Sequence, residues 1–418
     1  GFSPALVCEL DKDALGSYLL NRHSILDGQE FRDVKNLHFN NIDELTPEVV
    51  EKVKSYLEEV KCGLIFNGEN GSNLDLICGG PPCQGYSGIG HRRSYGVEKK
   101  DLPSNQLYSK MAAFIEQVRP KMFLFENVKG ILSGKWTSEG SKGEIWADVR
   151  ARFRKIPGYQ VRWSLVHAKD YGVPQNRPRV LLVGIRDDVV LSAGLDVEAS
   201  IEDAIATGFL PKSTGGAPHP EELLSDLIDP KVTQALLTQT FPSDFATRKY
   251  PKDAMTDVQR RLRTLPDGTL MSKGHEVTEH EYSKHSAKIV TKFKYMLEND
   301  GEIPESMKTK KFAQRVVPSQ WGDRGPSITA TSLADDYVHF SQPRSFTVRE
   351  WARFQMFPDW YRFAGKRTTG GLRRAGNPRE GNFDRETPKY TQIGNAVPVG
   401  LAAAVGRHFN SILDLAES

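Results

Sequence analysis

The feature that most limits what this chain can become is an alternation over its first 190 residues. Short apolar runs read as buried strands: Ala5-Leu6-Val7-Cys8, Leu74-Asp75-Leu76-Ile77-Cys78, Met122-Phe123-Leu124-Phe125 and Val180-Leu181-Leu182-Val183. Between them lie helical stretches, Pro47 to Val60 and Leu107 to Val118. Strands alternating with helices predict βαβ units and a mostly parallel sheet. Such a sheet binds ligands beyond the carboxyl ends of its strands. The residues with chemical potential sit there, each soon after an apolar run.

Beyond residue 190 the pattern changes. Residues 190–245 carry nine acids against two bases, and 246–325 carry sixteen bases against eleven acids. Pro and Gly punctuate both stretches, which read as a separate, irregular module. Near 346 a helical pattern returns in Phe346-Thr347-Val348-Arg349-Glu350-Trp351-Ala352-Arg353-Phe354, with Thr347 or Ser345 as its cap. Residues 362–389 form a basic loop, with eight bases and three acids. From Gly394 to Leu415 the chain reads as a turn and a helix. The expected plan is a first domain at 1–190, a second at 191–340, and a segment at 341–418 that returns to complete the first.

Composition narrows the class. A net charge of +3 is too small to name a partner. Four cysteines in 418 residues make no disulfide framework, and no CxxC pair suggests zinc, so no metal is assigned. No apolar run approaches the roughly 18 residues of a membrane span. No basic-then-apolar leader opens the chain. The expectation is a soluble protein of a reducing compartment, without a membrane partner.

Three motifs carry chemistry. Gly79-Gly80-Pro81-Pro82-Cys83-Gln84-Gly85 follows the run at 74–78. Cys83 is either a nucleophile, if its pKa is lowered, or a structural thiol in a turn. Cys8 and Cys78, inside apolar runs, read as structural. Glu126-Asn127-Val128 follows the next run. Glu126 either shares a proton with a ring nitrogen from a half-apolar pocket or is a solvated or capping acid. Asn127 reads as a turn residue. Gln175-Asn176-Arg177-Pro178-Arg179 precedes the run at 180–183. In an extended segment Arg177 and Arg179 share one side. They form either an anion or carbonyl clamp or a solvated basic edge.

Taken in order, these motifs are followed by Arg349-Glu350-x-Ala352-Arg353-Phe354-Gln355-x-Phe357-Pro358 and Gln392-Ile393-Gly394-Asn395-Ala396-Val397-Pro398. In motif order and spacing the chain resembles the DNA (cytosine-5)-methyltransferase family of the bacterial type, over 1–190 and 340–418. The resemblance implies an α/β fold. Its parts are a Rossmann-like S-adenosylmethionine-dependent methyltransferase sheet and a smaller, irregular target-recognition domain, here the module between. It implies methyl transfer from S-adenosylmethionine to carbon-5 of a flipped-out cytosine in double-stranded DNA. Cys83 matches the nucleophile, Glu126 the carboxyl on ring nitrogen 3 and the exocyclic amine, and Arg177 and Arg179 the pair holding the base carbonyl and a phosphate. For the cofactor, Glu9 matches the ribose acid, Leu10 the adenine-packing residue and Asp33 the acid on the adenine amine. Pro82, Asn395 and Val397 line the same pocket. DNA contacts are expected from Gln84, Ser87, Ile89, Arg92 and Arg93 in the loop after Cys83, and from Arg373 and Arg374. In the module they are expected from Arg260, Arg261, Arg263, Gln314 and Arg315.

The family's opening Phe-x-Gly-x-Gly loop is not found, and the chain starts at Gly1-Phe2. Three readings stay open: a fragment of a longer protein, a split enzyme whose second subunit supplies the first strand, or a catalytically idle DNA-binding remnant. The tRNA-methylating branch is disfavoured, because its Cys-Phe-Thr signature is missing. A stand-alone enzyme of the bacterial cytoplasm, close to the nucleoid, is the simplest expectation. A restriction-modification role and an orphan role read alike, and the target sequence is not legible.

Overall fold

The computed structural model describes residues 2–23, 37–60, 63–68, 70–81, 106–137, 139–195, 198, 201–308, 314–320, 328, 334, 336–368 and 386–418. Two short strands, β1 (Val7–Cys8) and β2 (His38–Phe39), pair in parallel. The main sheet contains β3 (Leu76–Gly79), β4 (Met122–Val128), β5 (Tyr159–His167) and β6 (Pro178–Arg186), in the order β3-β4-β6-β5. β3 and β4 are parallel, whereas β6 is antiparallel to both β4 and β5. Three of these four strands, β3, β4 and β5, therefore run the same way, as expected of a mostly parallel sheet, and β6 alone is reversed. Residues 168–177 join β5 to β6, too short for a parallel return, which takes a dozen residues or more.

Strand periodicity builds two cores on the main sheet. Phe123, Phe125, Val180 and Leu182 face one side, where the helices Leu107–Val118 and Glu144–Arg154 bring Ile115, Val149 and Phe153. Met122, Leu181, Val183 and Ile185 face the other, against Leu401, Val405 and Phe409 of the helix Val399–Glu417. Phe123 lies fully buried over Gly184, where an added Cβ would sit 2.0 Å from its ring. Truncating such a side chain costs about 3–5 kcal/mol.

Residues 201–210 extend this body. Ala204, Phe209 and Leu210 join the second core, and Trp163 N donates to Glu202 O at 3.0 Å. A third core lies mostly in the module, and Ala168, Val173, Tyr390 and Ile393 from outside the module enter it. It gathers Leu223, Leu227, Tyr250, Leu262, Val277 and Tyr337 around Phe346, Trp351 and Phe354. The helix Val348–Phe354 buries every residue it has. Thr347, not Ser345, caps it, accepting from Glu350 N while the Glu350 carboxylate accepts from Thr347 N. The chain therefore dips through the module's centre before the helix Val399–Glu417 returns to the sheet.

Cys8 and Cys78, read as structural thiols from their apolar runs, are exposed. Each lies on a strand, β1 or β3, with a single neighbour among the described strands.

Candidate functional site

The carboxyl ends of β3 and β4 lie side by side, with Gly79 opposite Phe125. The next residue on β4 is Glu126. Its Oε2 occupies the space a side chain at residue 80 would need, since a Cβ on Gly80 would lie 2.9 Å away. The next, Asn127, is buried and donates from Nδ2 to Pro81 O at 3.2 Å. Asn127 thus braces the stem of the Pro81-Pro82-Cys83 loop from inside a strand rather than from a turn. Pro82, Cys83, Gln84, Ser87, Ile89, Arg92 and Arg93 lie outside the described residues. Cys83 is two residues along the chain from this braced position.

The antiparallel register sets Leu181 opposite Glu126, so Arg179 is its diagonal neighbour on the same face. Its Nε pairs with Glu126 Oε1 at 2.5 Å, with side chains 8% and 16% exposed. One carboxylate oxygen is thus tied to a guanidinium, while the other faces the glycine stem. A carboxyl so placed is oriented, partly desolvated and approachable from one side, which suits it to hydrogen-bond a polar ring.

Arg177 departs from the expected clamp. Its guanidinium donates to Ile328 O at 2.5 Å, Gly394 O at 2.6 Å and Ala396 O at 3.2 Å. These donors therefore serve the protein's own backbone rather than a clamp shared with Arg179. The two-residue spacing fails because Arg177 precedes β6. There Arg177 N donates to Gln175 O, and Gln175 N to Val173 O, in tight turns rather than extended chain.

The turn joins three of the sequence motifs in one buried knot. Gln175 donates to Phe354 O and to Gln355 Oε1, and Gln355 donates to Ile393 O. Val399 N returns to Gln355 O at 2.8 Å. The residues of Gln175-x-Arg177, Phe354-Gln355 and Ile393-Gly394-Asn395-Ala396 thus hold one another.

The cofactor candidates lie at the end of β1 and in the last motif. Glu9 N donates to Phe39 O, its Oε1 accepts from Asp11 N, and burial raises its carboxyl pKa. Leu10, beside it, is 73% exposed. Asp11 caps the helix Lys12–His23 through Ala14 N and accepts from the Thr387 hydroxyl. That helix also grips the far segment, with Ser17 donating to Gln392 and Asn21 to Arg362 O. Asn395 and Val397 are exposed. A carboxylate and an exposed apolar side chain at one strand end fit a nucleoside's hydroxyls and ring. Asp33, Arg373 and Arg374 lie outside the described residues.

In the module, Arg263 is fully buried, bonded to Met271 O, Lys252 O and Asp226. It is therefore not a DNA contact, a correction with a plain cause: its charge is consumed inside. Sequence reasoning also passed over Asp226 and Asp359. Both bind Arg353 of the helix Val348–Phe354, with no exposure on either side. No local pattern marks Asp226, which is 127 residues from Arg353 along the chain.

Comparisons place this arrangement among known proteins. The model of the C-5 cytosine-specific DNA methylases matches residues 1–411. The chain is 30% identical over 353 residues to the Type II methyltransferase M.DdeI of Desulfomicrobium norvegicum, covering 81% of this chain and 73% of that protein. It is 28% identical over 383 residues to the Type II methyltransferase M.AgeI of Thalassovita gelatinovora, covering 79% and 82%. A solved structure of a candidate DNA modification methyltransferase encoded within an E. coli prophage superposes with a TM-score of 0.62 at 19% identity. The match covers 99% of this chain and 94% of that one, a shared fold.

Proposed function

The chain belongs to the family of C-5 cytosine-specific DNA methylases, and from that premise we propose a division of labour among its residues. The reaction is methyl transfer from S-adenosylmethionine to carbon-5 of cytosine in DNA. Carbon-5 of cytosine is a poor nucleophile, and carbon-6 is hidden by stacking. The base is therefore flipped out, at a cost of a few kcal/mol. The Cys83 thiolate adds to carbon-6, and the electron pair of the 5,6 double bond moves toward carbon-5 and ring nitrogen 3. Glu126 shares a proton with that nitrogen and accepts from the exocyclic amine, so the charge that develops is stabilised as it forms. S-adenosylmethionine supplies an electrophilic methyl group, which carbon-5 captures. Loss of the carbon-5 proton and expulsion of the thiolate restore the double bond and free Cys83.

The observation that carries this reading is the Glu126–Arg179 pair beside the stem of the Cys83 loop. Arg179 orients Glu126 and reaches toward the base carbonyl. Arg177 acts one step back, by holding the last motif in place. Glu9 takes the ribose hydroxyls, Leu10 covers the adenine, Asp33 meets the adenine amine, and Pro82, Asn395 and Val397 complete the pocket. Among the described strands β1 and β3 each have one neighbour, and their open edges suit pairing with a further strand. Gln84, Ser87, Ile89, Arg92, Arg93, Arg373 and Arg374 contact DNA, and the module's remaining basic side chains read the flanking bases. The Type II names of the relatives favour a restriction-modification role, at DNA in the bacterial cytoplasm. Cys83→Ala is expected to abolish methylation and leave DNA binding within about twofold, because phosphate contacts dominate affinity. Methylation surviving in that variant would refute the assignment.

A further inference from the structure

The helix Lys389–Asn395 is held at three points by three distant parts of the chain. Near its end, Gly394 O accepts from Arg177 at the head of β6. Midway, Gln392 accepts from Ser17 of the helix that follows the Glu9 turn. At its start, the Lys389 ammonium bonds both oxygens of Glu279, at 2.9 and 2.8 Å. Glu279 belongs to the module, and no motif or sequence pattern singles it out.

Both members of this pair are locally disfavoured. Lys389 is the first residue of its helix, a cation at the positive end of the dipole. Glu279 has φ +63°, a left-handed backbone that residues with a Cβ avoid. That turn lets one residue face three ways. Its carbonyl accepts from Arg349 N at 2.9 Å, at the start of the module's central helix. Its carboxylate accepts from Phe363 N at 3.3 Å and takes Lys389. The pair is largely buried, 11% exposed at Glu279 and 20% at Lys389, so solvent screens it little. Two locally unfavourable choices that meet in one shielded ion pair mark a position under a constraint other than local stability.

We infer that Glu279 is a positioning residue for the cofactor edge: through Lys389 it seats the helix whose far end presents Asn395 and Val397. The inference rests on the reading that those two residues border S-adenosylmethionine. It joins the module that reads DNA to the wall of the methyl donor's pocket through one carboxylate. How the module sits then sets how well the cofactor fits.

Steady-state kinetics on the active enzyme tests this. Glu279→Gln keeps volume and removes the charge, and Lys389→Met removes its partner. Each is expected to raise KM for S-adenosylmethionine by about tenfold, as displacement of a binding wall does, with kcat and KM for DNA within about twofold of wild type. Lys389→Arg, which keeps the charge, is expected to hold KM close to wild type. An unchanged cofactor KM in folded Glu279→Gln or Lys389→Met overturns the inference. So does a parallel loss of cofactor KM, DNA KM and melting temperature in both, which marks a structural role alone. Asn395→Ala separates the two layers: if it leaves cofactor KM unchanged, the pocket reading itself has failed.

Discussion

Two sets of ion pairs in this molecule use the same chemistry to opposite ends. At the end of β4, Glu126 has one arginine, and its side chain keeps 16% of its surface. In the module, Arg353 is gripped by Asp226 and Asp359, Arg263 adds to Asp226, and Tyr250 donates to Asp359. Arg344 forms a two-pronged bond to Glu350. None of these charged groups is more than 1% exposed. A carboxylate satisfied on every side can only hold structure. One braced on one side and open on the other can act on a ligand. The difference lies in the unspent acceptor, not in the residue type.

The largest expected effect comes from breaking the closed network. Asp226→Asn leaves Arg353 and Arg263 short of a charge, and losing one partner of a buried pair costs about 3–5 kcal/mol. Calorimetry is expected to show a large fall in melting temperature, with activity lost alongside; a wild-type melting curve would mean the network is idle. The shared core makes a related claim about transplanting the module. A graft of residues 191–340 alone leaves the helix Val348–Phe354 behind and is expected to misfold, whereas 211–363 carries most of the core that this helix organises. In an active chimera, bisulfite sequencing is expected to show methylation at the donor's site.

Opening the comparison from the other side, Glu126→Gln is expected to lower kcat by about 10²–10⁴, the usual worth of a positioned acid. Its melting temperature should barely change. A variant that loses stability as much as Asp226→Asn would erase the distinction between the two sets.

Acid should separate them further. Burial holds His280 and His285 down to about 4 from 6.5. The unfolded chain therefore binds their protons first as pH falls. Stability from these histidines is complete above 6.5 and is lost progressively toward about 4. Melting temperature is expected to fall between pH 6.5 and 5, with the module leading; a flat profile there would contradict this.

The smallest effect is at Glu9. Burial raises its carboxyl pKa, so it favours the protonated state when folded, and the stability this lends is lost as pH rises through the folded value. At neutral pH, Glu9→Gln is expected to melt slightly higher while binding S-adenosylmethionine more weakly. A variant that gains nothing in stability would show that the carboxylate is not strained.

Much of this was readable from the chain, for reasons visible in particular elements. The helices Pro47–Val60 and Leu107–Val118 lie where the pattern put them, because each buries one periodic face. The end of β4 set Glu126 beside the Cys83 stem, as an apolar run followed by an acid suggests. β5 was passed over because Arg162 and Ser164 interrupt its apolar pattern; both are buried, and Ser164 is satisfied by Asp203. Arg177 was misjudged because side-chain alternation holds only within a strand, and this residue lies in a turn. Asp226 and Glu279 were invisible, since their partners lie 127 and 110 residues away along the chain.

The claim that the open site forms a covalent bond with cytosine through Cys83 has a direct test. DNA carrying 5-fluorocytosine at the target blocks the last step, because fluorine at carbon-5 cannot leave as a proton. Incubated with S-adenosylmethionine and resolved under denaturing conditions, the wild-type enzyme is expected to remain joined to the DNA, and Cys83→Ala to release it completely. An adduct formed by Cys83→Ala, or none formed by an active wild type, would contradict the account.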